Sequence, residues 1–237
     1  MVPPQRPEFD SSVIIRDVVQ LLEDAGVSRH TLLRDAAISA AELDNPMGSI
    51  RSTADQSLWP CAIRETGDAA IGLHIGERAR IQGLGLVGYM LMNCPNLGEA
   101  LRQFIRFQNQ VTTHYQLQLS TEPDGRGGES GGVRVTITSR SEAMPFSRIE
   151  HTLAAMVTLG RWLTGRTFAL LKAQIQHAAP PHAAEYERVF GCAVRFGQPA
   201  NALFASAETL ALPVIQPIPA LFKTLETLVL EQPPISS

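Results

Sequence analysis

The sequence predicts an α+β domain. Three observations carry this. Residues 12–82 hold five capped apolar stripes at helical spacing. Two later stretches switch to strict alternation, and their strands and helices are grouped rather than interleaved in βαβ order. The expected architecture is an N-terminal layer of short helices packed with an antiparallel sheet and further helices.

The elements follow in order. Residues 1–11, "MVPPQRPEFDS", carry three prolines and no stripe, and read as a disordered N-terminus. "SSVIIRDVVQLLEDAG" has a stripe of Val13, Ile14, Val18, Leu21 and Leu22, and Gly26 stops it. Ser28 caps "RHTLLRDA". Ser39 opens "AAELDNP", which Pro46 ends. Ser52 opens "TADQSLWPCAIRETG", and Asp68 opens "AAIGLHIGERA". In "NCPNLGEALRQFIRF", Asn96 caps with Glu99 at the third position, a variant of the capping box. Leu97, Ala100, Leu101, Phe104 and Ile105 then form one face, with Phe104 in the core. Gln108 falls within that stripe and needs a partner when buried.

The period then becomes two. "VTTHYQLQL" (111–119) and "GVRVTIT" (132–138) read as half-buried strands, joined by the polar loop "STEPDGRGGESGG". A helix spans about 145–163. "LLKAQIQ" is a strand, and "PHAAEYERVFG" is a helix with Gly191 just past its end. "AVRF" and "ALFA" are short strands. A closing helix begins near Pro217 or Pro219. The domain division is therefore 12–215, split into a helical part 12–109 and a mixed part 110–215. A closing helix and tail follow at 216–237.

Bulk properties narrow the function. The net charge is −3 and the pI about 6.1, whereas nucleic-acid-binding domains are usually strongly basic. No apolar run reaches membrane-spanning length, and the first residues lack the apolar core of a signal peptide. Cys61, Cys94 and Cys192 are odd in number and form no C-x-x-C pair, which suits reduced thiols in a cytoplasmic protein.

Two literal motif matches and two cofactor readings bear on the chemistry. "GLGLVG" (83–88) matches the dinucleotide fingerprint, but charged "GERARIQ" precedes it where a strand is required. Gly83, Gly85 and Gly88 instead suit close contacts along a buried helix, "LGLVGYMLMN". "GESGG" (128–132) matches G-x-S-x-G, but a polar loop precedes Ser130 and a strand follows it, the reverse of a nucleophile elbow. His74, His114, His151, His177 and His182 show no i, i+4 pair and no compact carboxylate–histidine grouping, so no metal is expected. The Tyr-x-Ser-x-Arg element of haem gas sensors is missing, since Tyr115 is followed by "QLQ". No cofactor is expected.

"GLGLVGYMLMNCPNLGEALRQFIRF" and "IQHAAPPHAAEYERVFGCAVRFGQPANALFASAETLALPV", with the upstream "GVSRHTLLRDAAISAAELDNPMGSI", resemble the N-terminal regulatory domain of AraC-type transcriptional regulators. More narrowly, it looks like the branch with an arabinose-binding type of effector domain, and the resemblance covers about residues 12–230. The resemblance implies a bacterial effector-sensing, dimerising domain whose C-terminal helix-turn-helix domain is absent from this sequence. DNA would be reached only through that absent domain. A small-molecule effector and a homodimer are the expected partners. A hydrolase using Ser130, or a ligand-free dimerisation module, are the alternatives.

Small-ligand pockets are mostly apolar with a few placed polar groups. Met90, Phe104, Phe107, Gln108, His114, Tyr115 and Arg134 cluster by sequence around the strand start and are the candidate ligand-binding residues. Leu221, Leu225 and Leu228 share one face of the closing helix and are the candidate dimer interface.

Overall fold

The computed structural model describes residues 8–121, 132–140, 144–233 and 235. The five predicted N-terminal helices are present: α1 (Ser12–Asp24), α2 (Arg29–Asp35), α3 (Ala40–Asp44), α4 (Ser52–Thr66) and α5 (Ile71–Gly76). Ser39 forms a complete capping box with Glu42 at the start of α3. A short 3-10 turn (Ile81–Leu84) leads into α6 (Gly85–Leu91), and α7 spans Leu97–Phe107. The sheet strands are β3 (Tyr115–Thr121), β4 (Val133–Ser139), β5 (Lys172–Gln174), β6 (Val194–Arg195) and β7 (Asn201–Ala205). The later helices are α8 (Phe146–Thr164), α9 (Ala183–Phe190), α10 (Ala207–Ala211) and α11 (Pro219–Glu231).

The sheet order is β3-β4-β7-β5-β6, antiparallel except for the parallel β5–β6 pair. Its register aligns Leu119, Val135, Leu203, Ala173 and Val194 in one row across all five strands. Side chains opposite one another share a face, so this row forms one apolar surface. Met156 and Val157 of α8 meet that surface at Val135 and Leu203. The result is α+β, with helices on the sheet and a helical layer beyond them.

Four sequence expectations are revised. Residues 9–11 fall within the stretch expected to be disordered, yet Phe9–Ser11 form β1, paired antiparallel with β2 (Ser49–Arg51). Three-residue strands are too short to leave a period. The first sheet strand begins at Tyr115 rather than at 111, because the N–H groups of Val111 and Thr112 both bond to the Gln108 carbonyl and hold a turn. Asn96 caps α7 as expected, accepting from Glu99 N–H at 2.8 Å, but the Glu99 carboxylate turns to Arg102 and Gln103 instead of completing a box. The helix in "LGLVGYMLMN" is not buried on every side, since Tyr89 is 45% exposed.

Its glycines nevertheless do steric work. A Cβ on Gly83 would lie 2.6 Å from Asp17 Oδ2, and one on Gly88 would lie 2.0 Å from the Ile81 carbonyl oxygen. Gly85 has φ +59, which side chains rarely adopt.

Helix α8 is the axis of the molecule, with buried residues on most of its faces. Helix α5 crosses it at backbone contact distance. A Cβ on Gly72 would sit 2.2 Å from the Ser147 carbonyl oxygen, and one on Gly76 would sit 2.5 Å from Ala154 Cβ. Gly72 and Gly76 are one helical turn apart, so they present one smooth strip to α8.

Alanine in an open helix stabilises by about 1 kcal/mol over glycine. Here Gly72→Ala and Gly76→Ala are expected to do the opposite, each costing about 1–3 kcal/mol by overpacking. Thermal unfolding of the two variants checks the sign. A raised melting temperature for either would contradict the close crossing.

Candidate functional site

The periodicity of α8 creates the site. Residues 151, 152, 155, 156, 159, 160 and 163 recur at helical spacing along one side of α8 and line a cavity of about 100 Å³. The stripe of α7 faces it with Leu97, Ala100, Leu101 and Phe104. Leu84, Leu91, Ile81 and Ile14 close the far side, and Tyr115 enters from the start of β3. The wall is hydrocarbon except at one end, where Tyr115, His151 and Thr152 meet.

That polar end is continuous with a buried ionic network. Arg148, 1% exposed, gives its Nε to Asp55 Oδ2 at 2.5 Å and one terminal nitrogen to Thr152 Oγ1 at 2.7 Å. The same nitrogen lies 3.5 Å from His151 Nδ1, and its neighbour lies 3.7 Å from Asp10 Oδ1. Asp10 also contacts His114 Nδ1 at 2.9 Å. Thr112 Oγ1 lies 2.8 Å from that same nitrogen. Asp10, Asp55 and His114 are fully buried.

The electrostatics follow from these contacts. Burial pushes the Asp10 carboxyl up, but His114 and Arg148 outweigh it and hold the group below its ordinary value. Burial also raises Asp55, and there Arg148 does not fully compensate. Desolvation works against the Arg148 charge, yet Asp55 and Asp10 overcome it and keep the guanidinium protonated. Burial, then the Arg148 charge, pushes His151 down to about 3, so its ring is neutral near pH 7. Burial pushes the Tyr115 phenol up to about 12.

Asp10, Asp55 and His114 place ligand atoms within 4.8 Å of one another, a grouping with metal-binding chemistry. The sequence reading expected no compact carboxylate–histidine cluster, because these residues lie far apart in the chain. The guanidinium of Arg148 already stands among them as the neutralising cation, and a divalent ion beside it would be repelled. The donor set therefore fits an ion-pair network better than a metal centre.

The candidate ligand residues divide. Phe104 and Tyr115 line the cavity. His114 stands in the ionic network next to Tyr115, with the two rings 4.9 Å apart. Met90 and Phe107 are buried in the surrounding core. Gln108 is buried, and its Oε1 accepts from Leu117 N–H at 3.0 Å, the partner its position required. Arg134 lies on β4 with its guanidinium 5.6 Å from the Phe204 ring centre. Sequence reasoning missed Thr152 and Arg148, and weighed His151 only as a metal ligand. Their signal was present as polar residues inside an apolar helix. Ser130 lies outside the described residues. The other histidines weighed as metal ligands are partnered: His74 with Asp68 and Glu185, His177 with Tyr186, and His182 with Glu150.

On the closing helix, Val229 is fully buried while Leu221 and Leu228 are 41% and 42% exposed. Phe222 and Leu225 pack against the core. Leu225 also borders a surface groove with Tyr89, Trp162, Ile215, Ile218 and Leu221. Asn93 Oδ1 accepts from Ile218 N–H at 3.0 Å, and Arg106 pairs with Glu226 at 2.6 Å, fastening α11 to the ends of α6 and α7.

Comparison with known proteins gives concordant results. A family model described as the arabinose-binding domain of AraC transcription regulator, N-terminal, matches residues 26–214. The ornithine utilization regulator of Pseudomonas aeruginosa is 27% identical over 197 residues, which are 83% of this chain and 57% of that protein. An uncharacterized HTH-type transcriptional regulator of Mycobacterium tuberculosis is 27% identical over 110 residues, 46% of this chain and 32% of its own length. The crystal structure of transcriptional regulator CdpR from Pseudomonas aeruginosa superposes with a TM-score of 0.58 at 19% identity, covering 88% of this chain and 61% of that one. That likeness concerns the fold. The chain thus spans between a third and three-fifths of the length of these regulators. Among the described residues, no helix is long and apolar enough to cross a membrane.

Two outcomes are expected from the network. Arg148→Met leaves buried Asp55 without its cation and Asp10 with His114 alone, and should destabilise the protein by about 3–5 kcal/mol, read by urea unfolding. His151 is neutral when folded, and its ordinary value of 6.5 applies when unfolded. The unfolded chain therefore takes up the proton first, and stability is lost as pH falls from 6.5 towards about 3. The slope is about 1.4 kcal/mol per pH unit in that window, and His151→Phe should flatten it.

Proposed function

The chain belongs to the family of arabinose-binding N-terminal domains of AraC transcription regulators, and from that premise we propose that it is the effector-sensing and dimerising part of a bacterial regulator. The observation that supports this best is the cavity between α6, α7 and α8, apolar along its length and polar at one end. A small-molecule effector seats there. Two apolar helix faces alone would have closed on each other; here they stop short around a polar group of three.

The same geometry suggests how occupancy is passed on. Leu91 of α6 touches the cavity, while Tyr89 and Met92, just before and after it in the chain, border the groove beside α11. A ligand that moves α6 moves the support of α11. In the family the chain continues beyond this helix to a DNA-binding helix-turn-helix domain, so α11 is the route from effector to DNA. The protein works in the cytoplasm, has no enzymatic step, and touches DNA only through that second domain.

Dimerisation uses the outward face of α11. Val229 and Phe222 hold the helix on its own domain, so Leu221 and Leu228, beside Ile218 and Leu225, are free to meet a second copy. A two-fold dimer needs one self-complementary patch, and an apolar helix face supplies it.

Three measurements test this reading. The double variant Leu221→Asp, Leu228→Asp should be a folded monomer by light scattering and circular dichroism; a folded dimer removes this face from the interface. Leu101→Trp should fill the cavity and abolish any thermal shift that metabolites give the native chain. Residues 1–237 alone should give no sequence-specific gel shift, because they lack a basic recognition helix. A salt-sensitive, specific shift would contradict the division of labour.

A further inference from the structure

We propose that the effector of this cavity is a small uncharged molecule, mostly hydrocarbon, with one hydrogen-bond-accepting group such as a ketone, ester or lactone carbonyl. The inference rests on the cavity being the effector site and specifies what that site takes. It sets the ligand apart from both a sugar and an amino acid.

The argument is an account of donors and acceptors. Of the sixteen residues lining the cavity, thirteen are apolar or glycine. Of the remaining three, Thr152 is already committed: its hydroxyl accepts from Arg148 at 2.7 Å and donates to the Arg148 carbonyl at 3.1 Å. His151 presents Nδ1 to the Arg148 guanidinium at 3.5 Å. A guanidinium only donates, so Nδ1 carries the lone pair and Nε2 carries the ring proton. Among the described residues His151 is hydrogen-bonded only through Nδ1, which leaves that Nε2–H for a ligand, and the residue is 5% exposed. The Tyr115 hydroxyl is the other polar group at this end. The wall thus offers a ligand one free N–H donor with a phenol beside it.

A pentose carries four hydroxyls and a ring oxygen. Most of these would be buried against leucine, isoleucine and phenylalanine without partners, and each weakens binding. An amino acid such as ornithine brings a carboxylate and two ammonium groups. The Arg148 guanidinium beside the polar end is already neutralised by Asp55 and Asp10, and no carboxylate lines the wall to meet an ammonium. A neutral carbonyl asks only for the donor that is free. The volume agrees, since apolar cavities of this order accept molecules about the size of benzene. Met156, unbranched and half-buried in the wall, gives room for a slightly longer chain.

The test uses five probes at millimolar concentration: cyclopentanone, cyclopentylammonium, cyclopentanecarboxylate, L-arabinose and L-ornithine. Binding is read by ligand-observed NMR and by the unfolding midpoint. Cyclopentanone should bind and raise the midpoint, and the other four should not. Leu101→Trp should abolish its binding, and His151→Phe, which keeps a ring but loses the donor, should weaken it about tenfold. If a charged probe, arabinose or ornithine binds, and Leu101→Trp removes that binding, the ligand class is wrong while the site stands. Unchanged cyclopentanone binding in folded His151→Phe would overturn the donor assignment. No Leu101→Trp-sensitive binding by any probe would overturn both the ligand class and the cavity as the effector site.

Discussion

The buried charge of Arg148 is the constraint around which the molecule is arranged. A guanidinium removed from water is tolerated only where carboxylates and further hydrogen bonds surround it. Here they come from separate parts of the chain: Asp10 from β1, Asp55 from α4 and Thr152 from the next turn of α8. His114, entering β3, is bound to the same Asp10. The network therefore ties the N-terminal helical layer, the central helix and the first sheet strand into one unit. An apolar core would hold these elements together with less discrimination. Charges that must be matched favour a single relative placement of the three, although whether such networks raise net stability depends on the replacement compared.

Helix α8 can hold this position because its faces are specialised. One side is approached closely by α5 over Gly72 and Gly76. Another meets the apolar row of the sheet through Met156 and Val157. A third borders the cavity, and its polar members, His151 and Thr152, are also neighbours of Arg148. A ligand at the polar end would thus stand one side chain away from the ion network. The cavity wall and the element that fixes the tertiary arrangement are the same turn of helix.

Much of this was legible from the amino-acid order. The helices of residues 12–82 announce themselves by stripes and caps, since each buries one face and must satisfy its first N–H groups. The alternation of Val133, Val135 and Ile137 marks β4, and the stripe of α7 marks the wall of the cavity. The unreadable parts share a physical cause. β1 and β2 are too short to show a period. The Val111–Thr113 segment alternates like a strand but is held in a turn by the Gln108 carbonyl. The ionic network joins positions 10, 55, 114 and 148, and no local rule connects residues so far apart. Two of the proposed ligand residues, Phe104 and Tyr115, line the cavity, while His151 was weighed only as a metal ligand and Thr152 escaped notice within a helix recognised only for its length. The closing helix was read by its leucines, yet the anchoring residue is Val229, about a quarter turn round the helix from Leu221 and Leu228.

The pairing of Asp10 with His114 spans 104 positions, and that of Asp55 with Arg148 spans 93. During synthesis the two acids leave the ribosome long before their cationic partner. Until α8 has emerged, Asp10 and Asp55 remain hydrated, because closing the early helices over them would bury bare negative charge. Local helices can form at once, but the helical layer has no means of sealing itself. Such long-range closure makes folding slow relative to a simple bundle of the same helices. The domain therefore assembles around its middle, and an incomplete chain ending before residue 148 stays open where the finished protein is most tightly shut.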